Sequence, residues 1–204
     1  MGRTSDAREK LLNAALDLIW TSSYGGVSVD DICARADVNK GSFYHFFPSK
    51  SDLAVAAYEA HWQSTQPGLN QIFSPDTDPL DRLHQCCARL YDAQKMKFAE
   101  YGFVVGCPYA NAGSELATQD PKIRAKAQEM RDRWMDYLER TIRDAVALGL
   151  AEVVDPRSAA QQVYSCFLGT LLQSKILNDP DILLQLEPAI FRLLRANVPT
   201  AVAA

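Results

Sequence analysis

Apolar residues recur every three to four positions along most of the chain, the spacing that is typical of amphipathic helices. Residues 6–22 form the first such segment, with an apolar stripe made by Leu11, Leu12, Ala15, Leu18 and Ile19. Similar patterns follow residues 49, 79, 121, 156 and 181, and Gly, Pro or Asp-Pro separates them. No alternation typical of strands and no internal repeat is present, so we predict an all-α protein of about nine helices.

Residues 28–53 contain the densest set of local signals in the chain. Ser28 with Asp31 three residues later predicts a capped helix, which a left-handed turn at Asp37 would end. Asn39 then caps a second, short helix over residues 40–46. Pro48 ends that helix, and a second capping box starts the next one. This stretch therefore predicts two short helices joined by a tight turn.

The second short helix has two different faces. Spacing at i, i+3 and i+4 places three aromatic residues on its buried side, namely Phe43, Phe46 and Phe47. Its other side presents Lys40, Gly41, Tyr44 and His45. A small polar helix surface of this kind suits the floor of the DNA major groove.

These residues resemble the DNA-binding domain of the TetR family of bacterial transcriptional regulators. The resemblance rests on Asp31-Ile32, Ala36, Val38, Gly41, Phe43-Tyr44-His45-Phe46, Lys50 and Leu53. The chain departs from the family pattern at Cys33, Asp37 and Asn39, of which Asn39 would change base preference. An ordinary helical hairpin packed by aromatic residues is the alternative interpretation.

The resemblance implies a set of DNA-binding residues, listed as Arg3, Ser28, Asn39, Lys40, Gly41, Ser42, Tyr44, His45 and Lys50. We expect Tyr44, His45 and Lys50 to bind phosphates, and the helix start near Lys40 to lie closest to base edges. Arg3 would reach the DNA backbone or minor groove from an arm before the first helix.

Three segments are predicted from the same comparison: a helix-turn-helix domain over residues 1–53, a regulatory domain over residues 54–198, and a frayed tail over residues 199–204. Pro67-Gly68 predicts an end or a kink in the linking helix.

Residues 158–174 contain no charge, and the last two helices are too apolar for a solvated surface. We therefore expect a homodimer through them, with a buried central helix as the alternative.

Composition limits the function without deciding it. The chain has 204 residues and a formal net charge of −4, and residues 1–53 contain six Lys/Arg against seven Asp/Glu. Any DNA binding must therefore depend on locally placed cations, since no basic field exists. No catalytic, phosphate-loop or dinucleotide motif is found, so no enzyme activity, cofactor or metal is predicted. The polar start, the absence of an apolar span and five cysteines without paired spacing predict a cytoplasmic protein.

Cys107 differs from the other cysteines because Pro108 follows it, which predicts a helix N-terminus where the dipole lowers a thiol pKa. Residues 106–115 resemble the pocket segment of the NemR-like, electrophile-responsive subgroup of the family. The predicted effector or sensor residues are Cys107, Phe103, Tyr109, Trp134 and Lys175. A structural cysteine and a solvent-facing lysine are the alternative.

The sequence therefore predicts a homodimeric repressor that binds double-stranded operator DNA. A small molecule or a reactive electrophile would release it. The competing hypothesis is a small-molecule binding protein whose DNA-binding motif is vestigial. A third hypothesis, a metal sensor using His84, Cys86 and Cys87, has poor ligand geometry on one helix turn.

Overall fold

A computed structural model of the protein describes the backbone of residues 2–196 and the side chains of residues 6–196. That range contains nine α-helices, one 3₁₀ helix and no strand, which confirms the predicted all-α class. The helices are α1 Gly2–Thr21, α2 Val29–Ala36, α3 Lys40–Phe46, α4 Lys50–Ile72, α5 Pro79–Tyr101, α6 Pro108–Leu116, α7 Pro121–Ala147, α8 Pro156–Leu177, the 3₁₀ helix Pro180–Gln185 and α9 Leu186–Leu193. The predicted tail over residues 199–204 lies outside the described residues.

The chain divides into two compact units, one of residues 1–67 with 105–130 and one of residues 68–104 with 131–204. This division follows packing rather than chain order, because α6 and the start of α7 join the N-terminal helices. In the first unit, α1 contacts α2, α3 and α6. Its fully buried side chains include Leu11, Ile32, Phe43 and Leu53.

In the second unit, α5 and α8 each contact the 3₁₀ helix and α9. The buried Arg82 guanidinium donates to Asp144 Oδ2 at 2.5 Å and to the carbonyl oxygen of Thr77 at 2.8 Å. The rings of Phe73 and Tyr137 lie 4.9 Å apart, centroid to centroid. The buried Arg82 therefore joins α5 to α7, and ring packing joins Phe73, just after α4, to the same helix.

Most predicted helix ends are confirmed. Asp37 adopts the left-handed conformation with φ of 52°, and Asn178 ends α8 in the same way. Asp78 caps α5 by accepting from Leu80 N at 2.8 Å, and Asp155 accepts from Arg157 N at 3.0 Å. These ends depend on side-chain to backbone contacts over a few residues, which short sequence patterns encode.

Two boundaries were wrong, and one of two alternatives is excluded at a third position. The first helix begins at Gly2 rather than near Asp6, so the backbone of Arg3 lies within α1 and not in an arm before it. At Pro67-Gly68 we predicted an end or a kink in the linking helix; the helix does not end there, because α4 continues to Ile72, and the kink stays a prediction. The last predicted helix is a 3₁₀ helix followed by the shorter α9, since Pro180 starts a tighter turn.

We predict that Asp37→Gly leaves the free energy of unfolding unchanged or raises it by up to about 1 kcal/mol, because glycine adopts positive φ without steric cost. Asp37→Val should lower it by about 1–2 kcal/mol, because a β-branched residue is strained there. Chemical denaturation of both variants checks this. Equal stability of the two would show that the turn does not depend on the left-handed residue.

Candidate nucleic-acid interface

Reciprocal hydrogen bonds fix the start of α2. The Ser28 hydroxyl accepts from Asp31 N at 3.1 Å, and Asp31 Oδ2 accepts from Ser28 N at 2.8 Å. The Ser28 hydroxyl also donates to that carboxylate at 2.6 Å, and these bonds lower the pKa of Asp31. Both residues are exposed, so Ser28 combines the capping role with a surface position. The predicted capping box is confirmed.

The start of α3 is fixed by Asn39, whose Oδ1 accepts from Ser42 N at 2.8 Å. A Cβ at Gly41 would lie 3.2 Å from that same Oδ1, so glycine leaves room for the cap. Asn39 and Gly41 are exposed, and Ser42 is half-buried. The amide nitrogen of Asn39 is not needed for the cap, which leaves a hydrogen-bond donor at the N-terminal end of the helix.

The burial of Phe43 determines which face of α3 is buried and which is exposed. Its side chain is fully buried, and its ring centroid lies 6.2 Å from that of the buried Phe47. Tyr44 is 55% exposed and rests its ring edge-on against Phe43 at 5.0 Å. His45 is also exposed. The predicted orientation of the helix is therefore confirmed for these four side chains.

Phe46 is half-buried, so the prediction that all three phenylalanines lie on the buried side is wrong for this one. Its ring packs edge-on against His45 with centroids 4.9 Å apart. Phe46 is the last residue of α3, where the helix gives way to an extended residue at Phe47. The buried aromatic pair is thus Phe43 and Phe47.

Lys40 is exposed and forms an ion pair with Asp30 of α2, with Nζ and Oδ1 2.7 Å apart. The hydrogen bond to Asp30 raises the pKa of Lys40, so its charge is secure at neutral pH. An exposed pair of this kind exchanges partners at little cost, because water and salt screen it. Lys40 can therefore contact DNA by leaving Asp30.

Lys50 is not the free cation that the sequence suggested. Its Nζ donates to the carbonyl oxygens of Tyr24 at 2.9 Å and Val27 at 2.8 Å, and lies 4.1 Å from the centroid of the Tyr24 ring. Burial lowers the pKa of Lys50. The residue therefore braces the loop between α1 and α2, and its phosphate role stays a prediction. The side chain of Arg3 lies outside those that the structure describes.

Family comparisons agree with this geometry. Residues 11–57 match the family model of bacterial regulatory proteins of the tetR family, and residues 79–190 match the tetracyclin repressor-like C-terminal domain. The chain is 32% identical over 178 residues to the transcriptional regulator AcuR of Cereibacter sphaeroides, covering 86% of this chain and 79% of that protein.

The chain belongs to the TetR family. It is also 26% identical over 173 residues to the HTH-type transcriptional repressor NemR of Escherichia coli K12, covering 84% of this chain and 85% of that protein. A crystal structure of a regulatory protein TetR from Rhodobacter sphaeroides superposes with a TM-score of 0.80 at 29% identity, over 92% of this chain and 98% of that one. This TetR-family protein is thus a DNA-binding transcriptional regulator with an N-terminal helix-turn-helix.

In this TetR-family chain, Cys107 is the N-cap residue of α6, as predicted from Pro108. Burial raises the pKa of the Cys107 thiol, although the backbone N–H groups of Tyr109 and Ala110 oppose this effect. The expected lowering of that pKa is therefore wrong in direction, because removal from water outweighs the helix N-terminus. Its role as a sensor stays a prediction.

The other predicted effector residues fall into different units. Tyr109 lies beside Cys107 in the first unit, where its ring contacts Tyr58. Phe103, Trp134 and Lys175 lie in the second unit. The Trp134 ring packs edge-on against Phe73 at 6.5 Å, Phe103 lies 6.0 Å from the ring of Tyr101, and burial lowers the pKa of Lys175. A single site made from all five residues stays a prediction.

Glu115, in the last turn of α6, makes a long-range contact that the sequence did not predict. Its carboxylate accepts from Tyr24 N at 3.2 Å and from Gly25 N at 2.7 Å, in the loop before α2. A Cβ at Gly25 would lie 2.8 Å from Glu115 Oε1, so a larger residue there would require the carboxylate to shift. The contact joins residues about 90 positions apart, and no local pattern signals it.

Two further features limit the chemistry of the described residues. They contain no group of three His, Cys, Asp or Glu side chains that could hold a metal ion, and no helix among them is long and apolar enough to cross a membrane. Cys33, Cys86 and Cys87 are buried, and burial raises the pKa of each thiol. These three cysteines have the environment of small core residues.

We predict that Glu115→Ala speeds amide hydrogen exchange at Tyr24 and Gly25 by about five- to tenfold, since each lost acceptor is worth about 1 kcal/mol. Glu9→Ala, which removes an exposed carboxylate from α1, serves as the matched control and should leave these amides unchanged. Exchange measured by NMR or mass spectrometry decides. Unchanged protection in Glu115→Ala would show that the carboxylate does not hold the loop.

Proposed function

We propose that this TetR-family regulator is a homodimeric repressor that leaves its operator when a small molecule or a reactive electrophile acts on the residues around Cys107. It would act in the cytoplasm, where its DNA target lies, and as a regulator rather than an enzyme. The orientation of α3 is the observation that supports this most strongly. A buried Phe43 fixes a short helix whose Tyr44, His45 and Lys40 side chains are exposed together.

Different residues of that helix would have different tasks. Tyr44 and His45 would supply hydrogen-bond donors for phosphate oxygens, which would set the position of the helix on the duplex. Asn39, Lys40 and Gly41, with Ser42 and Ser28 beside them, form the end nearest to base edges, where an amide and an ammonium select bases. We retain the division into residues 1–53 for DNA binding and residues 54–198 for regulation as part of the proposal.

The route of release would run along α6. This helix begins after Cys107 and has Glu115 in its last turn, bonded to the loop before α2. Trp20 of α1 donates from Nε1 to the carbonyl oxygen of Gly106 at 3.1 Å, beside the thiol. A bulky adduct or ligand at Cys107 would therefore displace the contact that Trp20 makes with Gly106 and the contacts that Glu115 makes with the loop before α2. Such a change alters DNA affinity only if the two states of α6 differ in their contacts with this segment.

Operator binding tests the proposal directly. With the DNA upstream of its own coding sequence, we expect a sequence-selective, salt-sensitive gel shift. Tyr44→Ala should weaken that binding about tenfold, the effect of losing one backbone contact, while thermal stability stays unchanged. Gln63→Ala, an exposed position on α4, is the control. Equal affinity of the two variants would remove α3 from the interface, and no selective binding would favour the vestigial-motif hypothesis.

A homodimer through α8 and the segment after it is supported by an exposed apolar face. Leu172 is 56% exposed, Ile176 71% and Leu184 58%. Ser165 and Gly169 lie on the same face of α8 as Leu172 and Ile176, and both are exposed. Val163, Phe167 and Leu171 are buried instead, so α8 uses its other side for the core of its own unit. Small residues beside large apolar ones allow two helices to approach closely.

Gly169→Arg should convert the dimer to a monomer without unfolding it. A Cβ at Gly169 meets no atom within 4 Å in the described part of the chain, so the substitution is compatible with the folded subunit. Val154→Arg, at an exposed position outside α8, should stay dimeric. Multi-angle light scattering measures the mass of each variant. A dimeric Gly169→Arg protein would place the interface elsewhere.

A further inference from the structure

An exposed ion pair joins the first turns of α2 and α3. Lys40 Nζ lies 2.7 Å from Asp30 Oδ1, and the two side chains are 55% and 68% exposed. Such a pair adds little to the stability of a fold, because water and salt screen it. A carboxylate beside the proposed base-reading end of α3 would also repel phosphates of any duplex. The presence of Asp30 is therefore explained better by a task in DNA binding than by folding.

The backbone positions of both partners are fixed by helix caps. Asp30 is the second residue of α2, whose start is held by the capping box of Ser28. Lys40 is the first residue of α3, whose start is held by the side chain of Asn39. The two helices also contact each other, so the backbones of Asp30 and Lys40 keep a set separation. The carboxylate can therefore direct the lysine side chain without any movement of a helix.

The ion pair orders a side chain that is otherwise mobile. A lysine has a long, flexible stem, and the loss of its rotamer freedom opposes any contact that its ammonium makes. Asp30 restricts the ammonium of Lys40 in the free protein, so part of that loss has occurred before DNA binds. The hydrogen bond to Asp30 also raises the pKa of Lys40, which keeps the ammonium charged.

The ammonium can keep its bond to Asp30 and still contact a base. It carries three N–H donors, of which one serves the carboxylate. The other donors match O6 and N7 of guanine, the acceptors to which lysine binds in the major groove. These acceptors are neutral and leave the ion pair intact. A phosphate would instead bring a second anion close to the Asp30 carboxylate, so the pair would open for that contact.

We propose that Asp30 is a specificity-determining residue that holds the Lys40 ammonium toward O6 and N7 of a guanine in the operator. This inference rests on the proposed contact of α3 with base edges, and it names the base and the residue that positions the lysine. Asp30 is a positioning residue, since it acts through Lys40. On the operator the ion pair stays closed. On other sequences the lysine must leave Asp30 for a phosphate or make no contact.

Asp30→Asn should change the two kinds of DNA binding in opposite directions. Binding to an operator duplex from the DNA upstream of the coding sequence should weaken about threefold, because the lysine must then be ordered on the DNA. Binding to a scrambled duplex of equal length and composition should tighten about threefold, because the lysine becomes available to a phosphate. The ratio of the two Kd values should therefore fall about tenfold. The salt slope on the scrambled duplex should steepen by about one.

Titrations of the full-length protein, followed by fluorescence anisotropy on both duplexes, measure these constants. Asp37→Asn is the matched control, because it removes the same charge from an exposed turn residue and asparagine tolerates the left-handed backbone. It should change both Kd values in the same direction and leave their ratio within about twofold.

A second comparison shows whether Asp30 acts through the lysine. In a Lys40→Ala background, Asp30→Asn should leave the ratio of the two Kd values within about twofold, because no ammonium remains to be positioned. Asp30→Glu keeps a carboxylate that can pair with Lys40, so it should restore most of the ratio that Asp30→Asn loses.

The possible results are distinct. An equal change of both Kd values in Asp30→Asn would make Asp30 a surface charge only and overturn the proposal. A fall in the ratio that persists in the Lys40→Ala background would also overturn it, since Asp30 would then contact DNA itself. Equal affinity of the parent protein for both duplexes would contradict the proposed function as well. Asp30→Asn should melt within about 4 °C of the parent, and should it not fold, Asp30→Ser replaces it in the same comparison.

Discussion

The burial of Phe43 is the interaction on which the DNA-binding surface depends. A helix as short as α3 is not stable alone in water, because the free-energy cost of nucleating a helix exceeds the free energy that seven residues gain by forming it. Phe43 is fully buried, and burying one such ring contributes about 2–3 kcal/mol. Once its side chain is fixed in the core with Phe47, the geometry of the helix forces Tyr44 and His45 outward. The exposed face is therefore a consequence of the buried one.

Hydrogen bonds from polar side chains then fix the loop between α1 and α2. Lys50 bonds to two carbonyls of the α1–α2 loop, and Glu115 bonds to two of its N–H groups. The Tyr24 hydroxyl lies 3.0 Å from Ser51 Oγ, and Ser51 in turn donates to Asp120 at the start of α7. Opposite backbone groups of one loop are thus held from α4 and from α6. Because α6 starts beside Cys107, the loop links the proposed sensor Cys107 to the DNA-binding helices within one compact unit.

The sequence predicted best what short patterns determine. Ser28 with Asp31, the left-handed Asp37, Asn39 and Asp78 each act on backbone groups within four residues, and the structure has all of them. Helical spacing placed Phe43 and Tyr44 correctly, because it fixes which side of the helix each residue occupies. The predicted burial of Phe46 was wrong, because this residue is the last of α3 and helical spacing stops there.

Long-range contacts could not be predicted in the same way. The acceptors of Lys50 lie more than 20 positions earlier, and the amides bound by Glu115 about 90 positions earlier, so only the folded chain brings them together. The pKa of Cys107 was misjudged for the same reason, because a helix N-terminus can be read from a proline while burial cannot.

Photocrosslinking from α3 tests the central claim most directly. A benzoylphenylalanine placed at Tyr44 should crosslink to a bound operator duplex, and the same residue at the exposed Gln63 of α4 should not. Crosslinks from Tyr44 that disappear when unlabelled operator is added in excess would agree with the account. Absence of a crosslink from the Tyr44 position in a complex that still forms, or equal crosslinking from both positions, would contradict the account.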